Sequence, residues 1–414
     1  MRDYNQLQLF SENLLDISYA YSGFIFSERV FNNKMQINII SVIYLSNIVS
    51  LLVVGVMLMV IKTTPELRKL KYHQAKRCLA IAVIIVAIGQ IVQLLEGTVE
   101  ETMGIFPFSI LLVAPFQACL FTFLVLILFH SPYVTTKNIF KHLLPTIIFI
   151  VAYLAIRLIC NDVKIYTITD YITHIHNPIL LLRTAFVVTY GVQLIIYISL
   201  FNRERKLYIQ HINSYFSDTS HFRLRWGTSL FYQAVAIGIL ALIFTIKPTR
   251  VGDILFTIFL PLFYAVFAVR YINFQYTLPT IIAAVEQNEM AQNNSTADNE
   301  SKIEELCHEL KMLLENDPIY LTQGIVIVDI ATKLKVNKRL LSTCISSTYG
   351  KNFNSWINSL RVEHAKKLID SCPMCSLLEI AEQSGFADAA MFSKEFKRHM
   401  GESPSVYRSK IRKG

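Results

Sequence analysis

Seven runs of apolar residues, each close to the length of a membrane span, fill most of the first 285 residues and restrict what this chain can become. They are Ile37–Ile61, Cys78–Leu95, Ile105–Phe129, Leu143–Cys160, Ile179–Phe201, Ser229–Ile246 and Ile254–Phe274. A helix rises about 1.5 Å per residue, so about 20 such residues cross the roughly 30 Å hydrocarbon layer of a bilayer. Lipid offers the backbone no hydrogen-bond partner, so each run must satisfy its own amides and carbonyls as a helix. Composition agrees, with 53% hydrophobic and 17% charged residues, where soluble domains average about 45 to 50% and about 25%. Disordered and collagen-like chains are thereby excluded. The 7 cysteines are scattered and odd in number, which excludes a fully paired disulfide scaffold.

Charge in the connecting segments sets an orientation. Lys62–Arg77, His130–His142 and Asn202–Gly227 carry 6, 2 and 5 basic residues, whereas Glu96–Gly104, Asn161–Pro178 and Lys247–Asp253 carry 0, 1 and 2. Short basic loops stay in the cytoplasm, so the N-terminus is expected outside and the C-terminus inside. The first 36 residues lack the basic start, short apolar core and small-residue cleavage site of a secretory signal, so no processing is expected. Leu14–Phe26 is too short to span and is broken by Asp16 and Gly23; it reads as interfacial rather than as an eighth membrane segment.

Ionisable groups within membrane spans are costly and mark candidate sites. Gln93, Glu96, Arg157 and Arg183 fall at one depth, near the outer ends of their spans. One reading is an outward-facing pocket in which the two arginines meet an anionic or polar ligand, with Glu96 as counter-ion when it is empty. The other is that their long side chains simply reach toward headgroups. Gln90, Gln117 and Gln233 read as interhelical hydrogen-bonding residues.

After the last span the chain turns polar and acidic. Glu286–Ser301 holds no basic residue and, fully extended, reaches at most about 55 Å. From Lys302 onward apolar residues recur at spacings of three and four, which predicts short amphipathic helices at Ile303–Leu314, Ile327–Leu334, Lys338–Ser347, Phe353–Ile369, Leu377–Ser384, Asp388–Met400 and Ser405–Ile411. Two pairs, on either side of the long helix, are joined by only three or four residues, the geometry of a helix-turn-helix. In the second pair Ile380 and Ala381 face inward, Gly385 supplies the left-handed stop, Phe386 fills the corner and Asp388 caps the next helix. Phe392 and Phe396 form one inward stripe, which leaves Ala389, Ala390, Ser393, Lys394 and Lys397 outward. Charge follows the same division: from Lys333 to the end there are 15 basic and 7 acidic residues.

The stretch GFADAAMFSKEFKRHMGESPSVYR, Gly385–Arg408, resembles the signature of AraC/XylS-type transcription regulators. Ile380, Ala381, Gly385, Phe386, Phe392, Phe396, Lys397, Gly401, Ser403, Pro404, Tyr407 and Arg408 match it, and Ala331, Leu341, Phe353, Arg361, Ala365 and Leu368 fit upstream. The resemblance covers about a quarter of the chain. It implies two helix-turn-helix units joined by Phe353–Ile369, with base contacts from Arg339, Ser342 and Thr343 in the first recognition helix and Lys338 beside them as a further DNA-binding residue. In the second it implies Ala389, Ala390, Ser393 and Lys394, with Lys397 on phosphate. Two departures stand out: Ala389 and Ala390 offer a base edge only a methyl contact, and Met391 replaces the family's common aromatic.

The expected fold class is therefore all-α. The organisation is an extracytoplasmic segment 1–36, a seven-helix transmembrane sensor domain 37–274, a juxtamembrane helix and linker 275–301, and an AraC-type DNA-binding domain 302–414. The expected function is a membrane-bound one-component transcription regulator in a bacterial cytoplasmic membrane. Its partners would be duplex DNA and the bilayer, with a second copy of the chain, RNA polymerase and a small-molecule or envelope signal as further candidates. The alternative is a transporter or receptor whose C-terminal helices form a protein interaction module. No cofactor, metal or catalytic group is expected, and Cys372-Pro373-Met374-Cys375 reads as a chance pairing in a loop. The seventh span is expected to continue past Arg270 into Ile281–Glu289, a conduit from bundle to terminal domain.

Overall fold

The computed structural model describes residues 41–63, 71–95, 105–106, 108–160, 165–219, 222–247, 249–276 and 300–412. Among them every regular element is a helix, and extended pairing is limited to the isolated bridge between Phe216 and Val326. The apolar runs form α1 (Ser41–Val60), α2 (Lys71–Leu95), α3 (Phe108–Leu128) and α4 (Thr136–Arg157), then, after the short α5 (Ile168–Thr173), α6 (Pro178–Tyr215), α7 (Arg225–Ile246) and α8 (Arg250–Asn273). Among the described residues six helices are long and apolar enough to cross a membrane, and α3 contributes a shorter apolar stretch, Val113–Leu128. The expected seven spans thus correspond to seven helices, six of them of full length. Pro115, Pro145 and Pro261 lie inside α3, α4 and α8, positions more readily accommodated in membrane helices than in aqueous ones.

One boundary differs sharply from expectation. The fifth span does not end in a loop at Asn202; α6 runs on to Tyr215. The added segment NRERKLYIQHINSY is amphipathic, with Tyr208, Ile212 and Tyr215 buried at spacings of four and three, and it contains no Gly or Pro to stop a helix. At the other end of the membrane region, α8 tightens after Asn273 into a 3-10 turn, Phe274–Tyr276. The expected continuation into Ile281–Glu289 and most of the linker lie outside the described residues, as do the first 36 residues with Leu14–Phe26.

The chain forms two compact units. Among the described residues the first takes those within 41–124, Thr136–Ile196 and Tyr232–Asn273; the second takes Val125–Thr135, those within Tyr197–Phe231, 274–276 and 300–412. In the first unit α1 and α2 are joined by Asn47 Nδ2 donating to Gln90 Oε1 (2.7 Å), the interhelical role expected of Gln90. Tyr72 stacks on Tyr271, joining α2 to α8, and Phe121 packs edge-on against Phe263 and Phe267, joining α3 to α8. Phe149 stacks on Phe186 between α4 and α6 at 3.9 Å. The outward faces of these helices carry exposed Val53, Val60, Val151, Val188 and Ile195, a large apolar surface that water would penalise and lipid would not.

In the second unit Phe129 stacks on Tyr208 and Phe201 on Phe231. Buried Glu204 accepts from Ser131 Oγ (2.7 Å) and pairs with Arg203 (2.8 Å). The rest is the terminal domain: α9 (Glu300–Asn316), α10 (Ile327–Lys333), α11 (Lys338–Tyr349), α12 (Phe353–Ser371), α13 (Leu377–Gln383), α14 (Ala389–Met400) and α15 (Pro404–Ile411). These match the expected helices to within a few residues at each end. One core gathers Val362, Ala365 and Ile369 of α12 with Ile380, Ala381, Phe386, Phe392 and Phe396, and Met391 packs against it. Arg361, 1% exposed, donates from Nε to Tyr320 O (2.7 Å) and from Nη2 to Thr322 O (2.8 Å). Its guanidinium also lies 5.9 Å from the centre of the Phe386 ring. One buried side chain thereby ties the segment before α10 to the corner of the second helix pair. Burial pushes that guanidinium down to about 10, and the nearby Asp218 carboxylate opposes the shift.

Candidate nucleic-acid interface

The two helix pairs, α10–α11 and α13–α14, are built to one plan. Ile330 and Ala331 in the first correspond to Ile380 and Ala381 in the second, and all four are buried. Ala331 O accepts from Val336 N and Ala381 O from Phe386 N, each at 3.0 Å, which closes the corner in the same way. The turn residue has positive φ in both, +54° at Lys335 and +76° at Gly385. Glycine is required at the second: a Cβ on Gly385 would collide with the backbone of Leu321. Each recognition helix then starts on a side-chain cap. Asn337 Oδ1 accepts from Leu340 N (2.8 Å), and Asp388 Oδ1 accepts from Met391 N (2.6 Å). Capping satisfies amides that no earlier turn can reach.

These caps and cores determine which side chains point outward. In α11 Leu341, Cys344 and Ile345 face inward, Arg339 and Thr343 are exposed, and Lys338 and Ser342 are half-buried. In α14 Phe392, Glu395 and Phe396 are buried, whereas Ala389, Ala390, Ser393, Lys394 and Lys397 are all exposed. The expected base-reading and phosphate-contacting residues therefore fall on two solvent-facing surfaces, one per recognition helix. Lys338, like Ser342, is less exposed than the others. Its ammonium lies 4.7 Å from the centre of the Tyr215 ring at the end of α6, and burial pushes it down to about 8.

Residues 330–410 match the family described as "Helix-turn-helix domain". They form an AraC-type helix-turn-helix domain. The Msm operon regulatory protein of Streptococcus mutans is 32% identical to this chain over 83 residues, 20% of this chain and 30% of that protein. The raffinose operon transcriptional regulatory protein RafR of Pediococcus pentosaceus is 34% identical over 88 residues, 21% and 31% respectively. The chain thus spans less than a third of the length of these relatives. A solved structure of a protein of unknown function from Listeria innocua is 27% identical over 24% of this chain and 94% of its own, with a TM-score of 0.22. At that score it says nothing about the fold here. Of the expected contact residues in this domain, Arg339 and Thr343 on α11 and Ala389, Ala390, Ser393, Lys394 and Lys397 on α14 are exposed.

The outer polar residues are less uniform. Arg183, 6% exposed, donates from Nη2 to Tyr153 Oη (3.0 Å) and lies over the Tyr153 ring. Tyr153 itself belongs to a buried cluster with Ile105, Phe106, Phe149 and Phe186. Arg157 ends α4 with its side chain exposed. The Gln93 side chain and all of Glu96 lie outside the described residues.

The cysteines of the terminal domain fall in two close pairs. Cys372 and Cys375 are joined as a disulfide, with their Cα atoms 5.5 Å apart. Cys372 caps the end of α12 and the turn doubles back, held by Arg408 Nη1 on Cys375 O (3.0 Å) and by Arg412 on Pro373 O. Cys307 of α9 lies beside Cys344 of α11, with their Cα atoms 6.1 Å apart. Among the described residues no three His, Cys, Asp or Glu side chains are grouped to hold a metal ion.

Sequence reasoning overlooked the residues that hold the AraC-type domain to the end of α6. Ser217 N donates to Ile325 O (3.2 Å), and Asn354 Nδ2 donates to Ser217 O. The signal available was weak: Phe216, Ser217 and Thr219 are buried in what reads as an ordinary polar connection.

Proposed function

We propose that this chain is a membrane-bound one-component transcription regulator. Its apolar helices hold it in the bacterial cytoplasmic membrane with the N-terminus outside, and its AraC-type domain binds specific duplex DNA in the cytoplasm through α11 and α14. The reading is carried by one observation: a single chain joins six membrane-length helices to two capped recognition helices whose outward faces bear Arg339, Thr343, Ser393, Lys394 and Lys397. The regulator names of the two relatives support it. A small-molecule or envelope signal is its input, and the outer cluster of Gln93, Glu96, Arg157 and Arg183 is its candidate receiver. A second copy of the chain and RNA polymerase are the further partners of this reading.

The test uses the full chain in lipid nanodiscs and a random-sequence duplex pool. A regulator enriches a defined sequence, and its affinity falls linearly with the logarithm of salt concentration because bound phosphates release counterions. A transporter or receptor with an interaction module enriches nothing and shows no such slope, and that result would overturn the proposal.

A further inference from the structure

The chain just beyond α6 is seated on the AraC-type domain by three separate ties. Phe216 forms an antiparallel bridge with Val326, Ser217 N donates to Ile325 O, and the Asn354 side chain donates to Ser217 O. Ser217 is 0% exposed, so water satisfies neither of its backbone groups. All three ties fall beside the first helix-turn-helix unit: Ile325 and Val326 lead directly into α10, and Asn354 stands in the first turn of α12. Beside them the Tyr215 ring covers the ammonium of Lys338, the first residue of recognition helix α11.

Helix-turn-helix proteins read bases with the N-terminal residues of the recognition helix. An ammonium lying on an aromatic face is drawn there by the ring's charge distribution, and it cannot at the same time lie on a phosphate. Segment 215–217 and DNA therefore make claims on the same corner of the domain. We infer that residues Tyr215–Ser217 are a built-in competitor of DNA: their docking surface, made by Ile325, Val326, Lys338 and Asn354, overlaps the surface that meets the duplex, and full DNA binding requires the segment to leave. This rests on the DNA-binding reading above, and it places a contact between the end of α6 and the AraC-type domain at Tyr215–Ser217.

The experiment uses the full chain in nanodiscs and the random-sequence duplex pool, read by amide hydrogen exchange and by affinity at fixed salt. In the DNA-free protein the Ser217 amide is protected by Ile325 O; saturating duplex should remove that protection. Asn354→Ala and Tyr215→Leu, neither on an outward recognition face, should each tighten duplex binding by about threefold to tenfold, the scale of one net hydrogen bond or cation–π contact. A Ser217 amide that stays protected at saturating duplex overturns the inference, as do two folded variants that bind no tighter than the parent chain. Should a variant fail to fold, exchange in the unmodified chain decides alone. A parent chain that binds duplex with the expected salt slope but keeps Ser217 protected leaves the functional reading standing and removes only this one. A chain that binds no duplex at all removes both.

Discussion

The side-chain amide of Asn354 donates to the carbonyl of Ser217, across 137 positions of sequence, at a site from which Ser217 is wholly withdrawn from water. A buried carbonyl that loses its donor keeps its desolvation cost, typically about 1 to 3 kcal/mol. Asn354→Ala should weaken the attachment of segment 215–217 by about 1 kcal/mol, the lower end of that range, and Asn354→Asp by more, since it replaces the donor with a charged acceptor facing a carbonyl. Faster amide exchange at Ser217, with exchange in the α12–α14 core unchanged, is the expected record.

Two basic residues on different helices should behave differently. Arg339 is exposed near the start of α11, where a guanidinium can bridge two acceptors of guanine. Arg339→Ala should relax one or two base positions and cost about 1 to 3 kcal/mol of discrimination. Lys397 stands in the last turn of α14. Lys397→Ala should lower affinity for all sequences alike and flatten the salt slope by about one unit. Identical sequence profiles and slopes for the two variants would refute this division of roles.

Gly385 and Gly350 both have positive φ, at +76° and +63°, but different surroundings. A Cβ on Gly350 meets nothing within 4 Å, whereas one on Gly385 runs into the backbone of Leu321. Gly350→Ala should cost only the left-handed penalty of about 1 to 2 kcal/mol. Gly385→Ala should cost clearly more, because backbone must move. Thermal unfolding of the AraC-type domain, followed within the full chain by limited proteolysis, ranks the two.

Arg183 and Arg157 should also separate. Arg183 is buried and bonded to Tyr153, so Arg183→Gln should destabilise the membrane region by about 1 to 3 kcal/mol. Arg157 is exposed, and Arg157→Gln should change stability by no more than about 0.5 kcal/mol. Melting in detergent checks both. A promoter reporter carrying a selected site then asks whether either variant changes output at equal protein level, as the sensing proposal requires.

Local chemistry made the recognition helices legible. Gly385, Asp388, Phe392 and Phe396 each act within a few residues of themselves, so their types and spacing sufficed to place a turn, a cap and an inward stripe. The end of α6 was not read, because a hydropathy window averages the charges of NRERK with the apolar residues that follow. Tyr208, Ile212 and Tyr215 carried the helical period all the same. The seat of Ser217 on Asn354 had no local trace. Both are small polar residues in plain surroundings, and their pairing follows only from the folding of distant segments onto each other.

The two recognition helices share a plan but not a surface. One presents Arg339 and Thr343, the other two alanine methyls with Ser393 and Lys394. A lone chain therefore has no reason to favour a palindrome. Its target should read differently from left to right, so the site has a polarity, and inverting it in front of a promoter would turn the bound protein end for end. For a regulator held at a fixed surface, the direction in which its DNA runs becomes part of the instruction.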